Sequence, residues 1–139
     1  MFTSMSISTS GMVAQRVRMD VVAGNIANAF TTVDAAGRAV PYRRRVVTFA
    51  PGDPSTGRNA AGVHVASIAQ DPSDFRLMHD PSHPQAIKTG PKQGYVRYPN
   101  VDLATEMVNG MEAARAYEAN MTAFETSKAM IAESMRILA

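Results

Sequence analysis

Three groups of residues in this sequence have types that could carry chemistry. His79 and His83 stand in an H-x3-H spacing with Asp80 between them, the spacing of many zinc sites. Pro81 also lies between the histidines and Pro84 follows, so the pair cannot share one helical face, and the segment reads as an ordinary polar loop. His64 is alone in an extended run and reads as a surface or half-buried side chain. A nucleophilic serine needs a neighbouring base and an orienting acid. Here the serines crowd into "TSMSISTSG" at the start of the chain, with no G-x-S-x-G elbow and no G-x-x-x-x-G-K phosphate loop. The third group is Arg43-Arg44-Arg45. In an extended strand these side chains alternate between faces, and no aromatic RNA-reading motif accompanies them. They read as a solvated strand or as salt-bridge donors to the acids of a neighbouring subunit, not as a nucleic-acid contact. With no cysteine, disulfides, thiolate ligands and cysteine nucleophiles are also removed. The search yields no enzyme, and neither metal nor cofactor is expected.

What remains is a pair of amides. Asn25 and Asn28 sit inside the apolar run "VVAGNIANAFTT", although asparagine is a poor helix former. At i and i+3 they share one side of a helix, and Gly24 and Ala27 are small enough to let a neighbouring backbone approach. An amide both donates and accepts, so it can fix axial register where apolar contacts would permit sliding. The alternative for Asn28 is that it ends the helix before Phe30.

The elements that must position these residues follow from punctuation and period. All eight prolines fall between Pro41 and Pro99, which leaves both ends free to be helical. Towards the C-terminus, Leu103, Gly110, Tyr117, Phe124, Ile131 and Leu138 recur every seven residues. A companion row offset by four holds Met107, Ala114, Met121, Lys128 and Met135. This alternation predicts a long helix with a coiled-coil seam, with Asn100 as candidate cap, Asp102 in its first turn, and a length that overhangs its own body. The N-terminal segment repeats the pattern with Met5, Met12, Met19 and Ile26, with Thr3 or Ser4 as cap. Ala14, Val17 and Val21 give it a second apolar face, so it is expected to be buried between neighbours. The methionine rows, Met5, Met12 and Met19 and then Met107, Met111, Met121 and Met135, read as core, where thioethers fill irregular gaps. Between the helices, residues 42–49, 62–68, 74–78 and 94–98 read as short strands, and 52–62 as a mobile loop.

The expected fold is thus mainly α. Long N- and C-terminal helices (1–30 and 100–139) pair as a coiled coil in one structural unit, and residues 31–99 form a short β-rich or irregular middle region. No run of the sequence reaches the roughly 18 apolar residues of a membrane span, and no cleavable secretory signal is visible. Net charge is +1 over residues 1–29, +4 over 30–100 and −3 over 101–139, so a basic middle accompanies an acidic helix.

Taken together, "STSG" (8–11), "RMDVVAGNIANAFTT", "YRRRVVTF", "DPSHPQA", "GYVRYPNVD" and "EMVNGMEAARAYEANMTAFETSKAM" resemble the bacterial flagellar basal-body rod proteins, in order and nearly end to end. "NIAN" is shared with rod and hook proteins broadly. "YPNVD" followed by "RAYEAN" at this chain length points to the proximal rod. Family members usually read "NNIANANT", and here Gly24 and Phe30 replace its first and last asparagines.

The resemblance implies a non-enzymatic structural subunit, exported by the flagellar type III apparatus without signal cleavage and assembled in the periplasm-spanning rod. Its implied neighbours are FliE, FlgB, FlgF, FlgG and copies of itself, with no nucleic acid and no membrane span. A different rod subunit of FlgB type, or a type III-exported helical adaptor, is the alternative. On the first helix the expected assembly interface is Met12, Met19, Asn25, Ile26, Ala27 and Asn28. On the second it is Met107, Tyr117, Asn120, Met121, Phe124 and Ile131.

Overall fold

Without proline to interrupt the i→i−4 ladder, both ends of the chain become helices: α1 spans Phe2–Ala27 and α2 spans Leu103–Leu138. At 1.5 Å per residue they are about 39 and about 54 Å long. The computed structural model describes residues 2–52 and 61–138; most of the loop expected over 52–62 lies outside the described residues.

The helix ends correct two expectations. The helix α1 begins at Phe2, so Thr3 and Ser4 lie inside its first turn and do not cap it. Its other end is closed by Asn28, whose backbone N–H and side-chain Nδ2 both donate to Gly24 O at 3.2 and 2.9 Å. At the start of α2 the cap is Asp102: its Oδ2 accepts from the backbone N–H of Thr105 at 3.2 Å and from the Thr105 hydroxyl. Asn100 faces the middle region instead.

The Thr105 hydroxyl and amide hold the Asp102 carboxyl below its ordinary value. Asp102 therefore stabilises the fold above the unfolded pKa of about 4, and that contribution is lost as pH falls through the lower folded value. Asp102→Ala should lower the melting temperature clearly at about pH 7 and much less at about pH 2.5. An equal loss at both pH values would show that the carboxylate does not carry the cap.

The two helices pack antiparallel, and a series of contacts fixes their register. The Ser4 hydroxyl meets Ser127 Oγ at 3.4 Å, Arg18 reaches Asn109 Oδ1 at 3.3 Å and Glu112 Oε2 at 3.2 Å, and Asn25 meets Glu106. Gly11 lies against Asn120 so closely that a Cβ there would come within 2.9 Å of the amide. Gly110 faces Val22, where a Cβ would make an ordinary van der Waals contact at 3.4 Å. An alanine at Gly11 makes the whole flexible Asn120 side chain swing aside, and the gain in helix propensity offsets that shift. A leucine must push the helices apart. Gly11→Leu is expected to destabilise by about 1–3 kcal/mol in thermal melts, and Gly11→Ala to lie within about 1 kcal/mol of the parent.

The seam itself differs from the expected one. Residues 103, 110, 117, 124 and 131 do face α1 at least in part, but the companion row lies three residues after each, not four. Within the stretch that α1 covers it holds Glu106, Ala113, Asn120 and Ser127, none of which is exposed. Met107, Met111, Met121 and Met135, expected in the core, are exposed. Small and hydrogen-bonded side chains let the helices approach closely, and methionines in those positions would hold them apart. Among the described residues the buried apolar set is correspondingly small: Ala14, Val22, Ala29, Val96, Val101 and Ala113.

The middle region forms two separate antiparallel pairs. Strand β1 (Arg45–Pro51) pairs with β2 (Val63–Gln70), and β3 (Arg76–His79) with β4 (Tyr95–Tyr98). The β1–β2 hairpin lies along α1. The Ser10 hydroxyl donates to Ile7 O and accepts from the N–H of Val63, and Gly62 beside it has φ 120°. A Cβ at Gly62 would sit 2.7 Å from Ser10 Oγ, so backbone conformation and space both require glycine.

Candidate assembly surface and its internal lock

Asn25 is only 1% exposed and its amide is fully used inside the chain. Its Nδ2 donates to Glu106 Oε2 and to Arg45 O, each at 2.8 Å. Its Oδ1 accepts from the N–H of Arg45 at 2.9 Å and from the Tyr42 hydroxyl at 3.0 Å. One side chain on α1 thereby ties α2 to the first residue of β1. The Tyr42 phenol is pushed above its ordinary pKa by burial, which keeps it a donor.

Glu106, also 1% exposed, is the second node. Its Oε1 accepts from Arg44 Nε at 2.8 Å and Nη2 at 2.7 Å. The other arm of Arg44 meets Asp71 Oδ2 at 3.2 Å. Burial works against the guanidinium charge, but the hydrogen bonds to Glu106 and Asp71 outweigh it and raise the Arg44 pKa. Asp71 is held below the usual carboxylate range, first by the backbone N–H and hydroxyl of Ser73 and then by Arg44. Asn100 completes the lock: its Oδ1 accepts from the N–H of Arg44 at 2.9 Å, and its Nδ2 donates to Ser73 Oγ at 2.8 Å.

This arrangement replaces the expected role of the arginine triplet. Only Arg45 lies in a strand. Arg43 donates to the carbonyls of Asp71 and Ser73 and stacks 4.4 Å from the Phe75 ring centre. Arg44 spends its charge on acids of its own chain, so it is not a free donor to another subunit. The histidines are likewise occupied. The His79 ring packs edge-on to Tyr95 at 5.0 Å, and His83 Nδ1 accepts from the N–H of Gln85. No group of three metal-ligating side chains occurs among the described residues.

The residues expected at an assembly interface divide by location. Asn25 is consumed in the lock and Asn28 in closing α1. Tyr117, Asn120, Phe124 and Ile131 lie half-buried at the α1–α2 seam, and Asn120 Nδ2 donates back to Ala116 O. Met12, Met19 and Ile26 are half-buried, while Ala27 is exposed. Met107 and Met121 are exposed on the outside of α2, where Met107 and its neighbour one turn on, Met111, are 56% and 55% accessible. Sequence reasoning missed Met111 and Met130 as surface residues, although their spacing from Met107 was visible.

Apolar side chains are exposed on several elements, Val13 and Phe30 among them, and two of the exposed groups lie on α2. The first is the outer face of α2 around Met107, Val108 and Met111. The second is overhang. Ser4 faces Ser127, so α1 has only two residues left beyond that contact, whereas α2 runs on to Leu138. That extension bears Met130, Met135 and Ile137, and Ile137 is 78% exposed. Seven of the seventeen large apolar side chains exposed among the described residues lie on α2, which makes it the candidate interaction surface.

The chain is similar along most of its length to known proteins. A family model described as "Flagella basal body rod protein" matches residues 5–33, and one described as "Flagellar basal body rod FlgEFG protein C-terminal" matches residues 92–137. The chain is 41% identical to the flagellar basal-body rod protein FlgC of Borreliella burgdorferi, over 99% of this chain and 97% of that protein. It is 40% identical to the FlgC protein of Bacillus subtilis, over 98% and 97% of the two chains. Against the FlgC protein of Salmonella typhimurium it is 37% identical, over 94% and 92%.

Proposed function

The chain belongs to the flagellar basal-body rod protein family and is a structural subunit of the proximal rod, and we propose that it polymerises through its terminal helices into the shaft that transmits torque for motility. The observation that carries the proposal is similarity to rod proteins along nearly the whole of both chains, and the uncovered face and overhang of α2 supply a surface for such contacts.

In this reading residues 1–30 and 100–139 act as one unit. Their 3/4 alternation continues as a supercoiled layer with neighbouring subunits, and residues 31–99 lie outside it. Met107, Met121 and the overhang meet neighbouring helices directly. Tyr117, Asn120, Phe124 and Ile131 act by holding the pair in shape, with Met12, Met19, Ile26 and Ala27 on the flanking face. The neighbours are copies of itself, FlgB, FlgF, FlgG and FliE, reached after export by the type III apparatus without signal cleavage, and the site of assembly is the periplasm. The role is structural, not catalytic.

The test is complementation of a bacterium whose own copy of this rod subunit is deleted. The parent chain should restore swimming rings in soft agar. Phe124→Pro should abolish them while export continues, because proline within a helix costs about 3 kcal/mol and bends the seam. Swimming cells with the proline variant, or a parent chain that is exported and restores no motility, would overturn the reading.

A further inference from the structure

The chain has no cysteine, so its ten methionines carry all of its oxidisable sulfur. They are not distributed evenly. On α1, Met5, Met12 and Met19 are half-buried. Met78 on β3 is 45% exposed, and on α2 Met107, Met111, Met121, Met130 and Met135 are all exposed, from 40% to 66%. The five on α2 are also the thioethers of the face and overhang left uncovered within the chain. We propose that this set is an oxidation-sensitive modification site: two-electron oxidation of the free subunit to methionine sulfoxide blocks its incorporation, while the subunit's own fold is retained. The proposal rests on the reading of the α2 face as an assembly surface.

The chemistry needs a peroxide or a hypohalous acid as oxidant. With hydrogen peroxide, the thioether sulfur gives two electrons to one peroxide oxygen, the S–O bond forms as the O–O bond breaks, and the departing hydroxide takes the proton carried by the transferred oxygen and leaves as water. Nothing else is consumed. The product exchanges a flexible apolar group for a polar, chiral one. Two consequences follow from position. Sulfoxides on the outside of α2 face water in the free subunit, so they leave the Ser4–Ser127, Gly11–Asn120 and Asn25–Glu106 contacts intact. On assembly the same groups must be stripped of water against apolar neighbours, which an S=O dipole resists. Once incorporated, the thioethers are covered and protected.

The experiment has two arms. First, the purified full-length chain is treated with dilute hydrogen peroxide and sulfoxide is mapped by peptide mass spectrometry. Met107, Met111, Met130 and Met135 should oxidise roughly threefold or more faster than Met12 and Met19, with helix content by circular dichroism unchanged. Oxidation of Met12 and Met19 at the same rate, or loss of helix with the first sulfoxides, would overturn the proposal. Second, the deletion strain receives Met107→Gln/Met111→Gln, in which glutamine imitates the length and polarity of the sulfoxide, or Met107→Leu/Met111→Leu, which keeps the surface apolar. The leucine pair should swim like the parent, and the glutamine pair should lose most of the ring diameter at equal export. A glutamine pair that swims normally overturns the proposal, as does a leucine pair that fails equally. If the unmodified chain does not complement, the failure belongs to the rod reading itself, and the oxidation map still stands or falls separately.

Discussion

Replacing Asn25 by leucine should lower stability by about 4 kcal/mol, or on the order of 15 °C in melting temperature, and abolish motility in the deletion strain. A purely local view predicts the opposite sign, since leucine is the better helix former. The difference comes from four hydrogen bonds at a buried position. Leucine would strand the Glu106 Oε2, the Arg45 N–H and carbonyl, and the Tyr42 hydroxyl, and each buried unsatisfied group costs about 1–3 kcal/mol. Glutamine keeps the amide but is one methylene too long for a site closed on all sides, and it should recover part of the loss. Val17→Ala, on the half-buried side of α1, should cost about 1 kcal/mol and provides the scale. A melt in which Asn25→Leu equals or exceeds the parent would remove the lock from the account.

Glu106→Ala is the second large effect, expected at about 4 kcal/mol. Removing one partner of a buried ion pair leaves the other charged and unpaired, and here Arg44 would keep only Asp71. The same change leaves one of the two Asn25 Nδ2 hydrogens without its acceptor, the other still bonded to Arg45 O, and opens a cavity beside Val22. The exposed pair Arg18–Glu112 makes the contrast: Glu112→Ala should cost under about 1 kcal/mol, because its carboxylate remains in water. Asn25 and Glu106 share a hydrogen bond, so the double variant should fall well short of the sum of the two single losses. Additive losses would mean that the two residues stabilise different parts of the fold.

The helices were legible in the sequence because proline stops at residues 41 and 99 and apolar residues recur in sevens outside those limits. Which face of α2 meets α1 was not legible. A row at every seventh position has a partner row either three or four residues on, and hydropathy favoured the methionines over Glu106, Ala113 and Asn120. The structure chose the small and polar row, since close approach at Gly11 requires it. For Asn25 the chemistry of a buried amide was legible, but its partners were not: Glu106 lies 81 residues away, and the Arg45 backbone is brought in by the turn after α1. Of the arginine triplet, Arg45 is the exposed strand residue expected, and the partner of Arg44 was misassigned for a related reason. Charge composition showed an acidic helix for it to meet, but only tertiary structure shows that the acid belongs to the same chain.

The central claim is that this chain is a rod subunit whose helix pair keeps its internal lock and turns the outer face of α2 to its neighbours. Electron cryomicroscopy of intact basal bodies, from the deletion strain restored with this chain, tests it most directly. The map should place α1 and α2 side by side in the rod wall, with Asn25 on Glu106 of the same subunit and Met107 and Met111 covered by an adjacent subunit. Density for the chain outside the rod, or within it with the Met107–Met111 face open to solvent, would contradict the account.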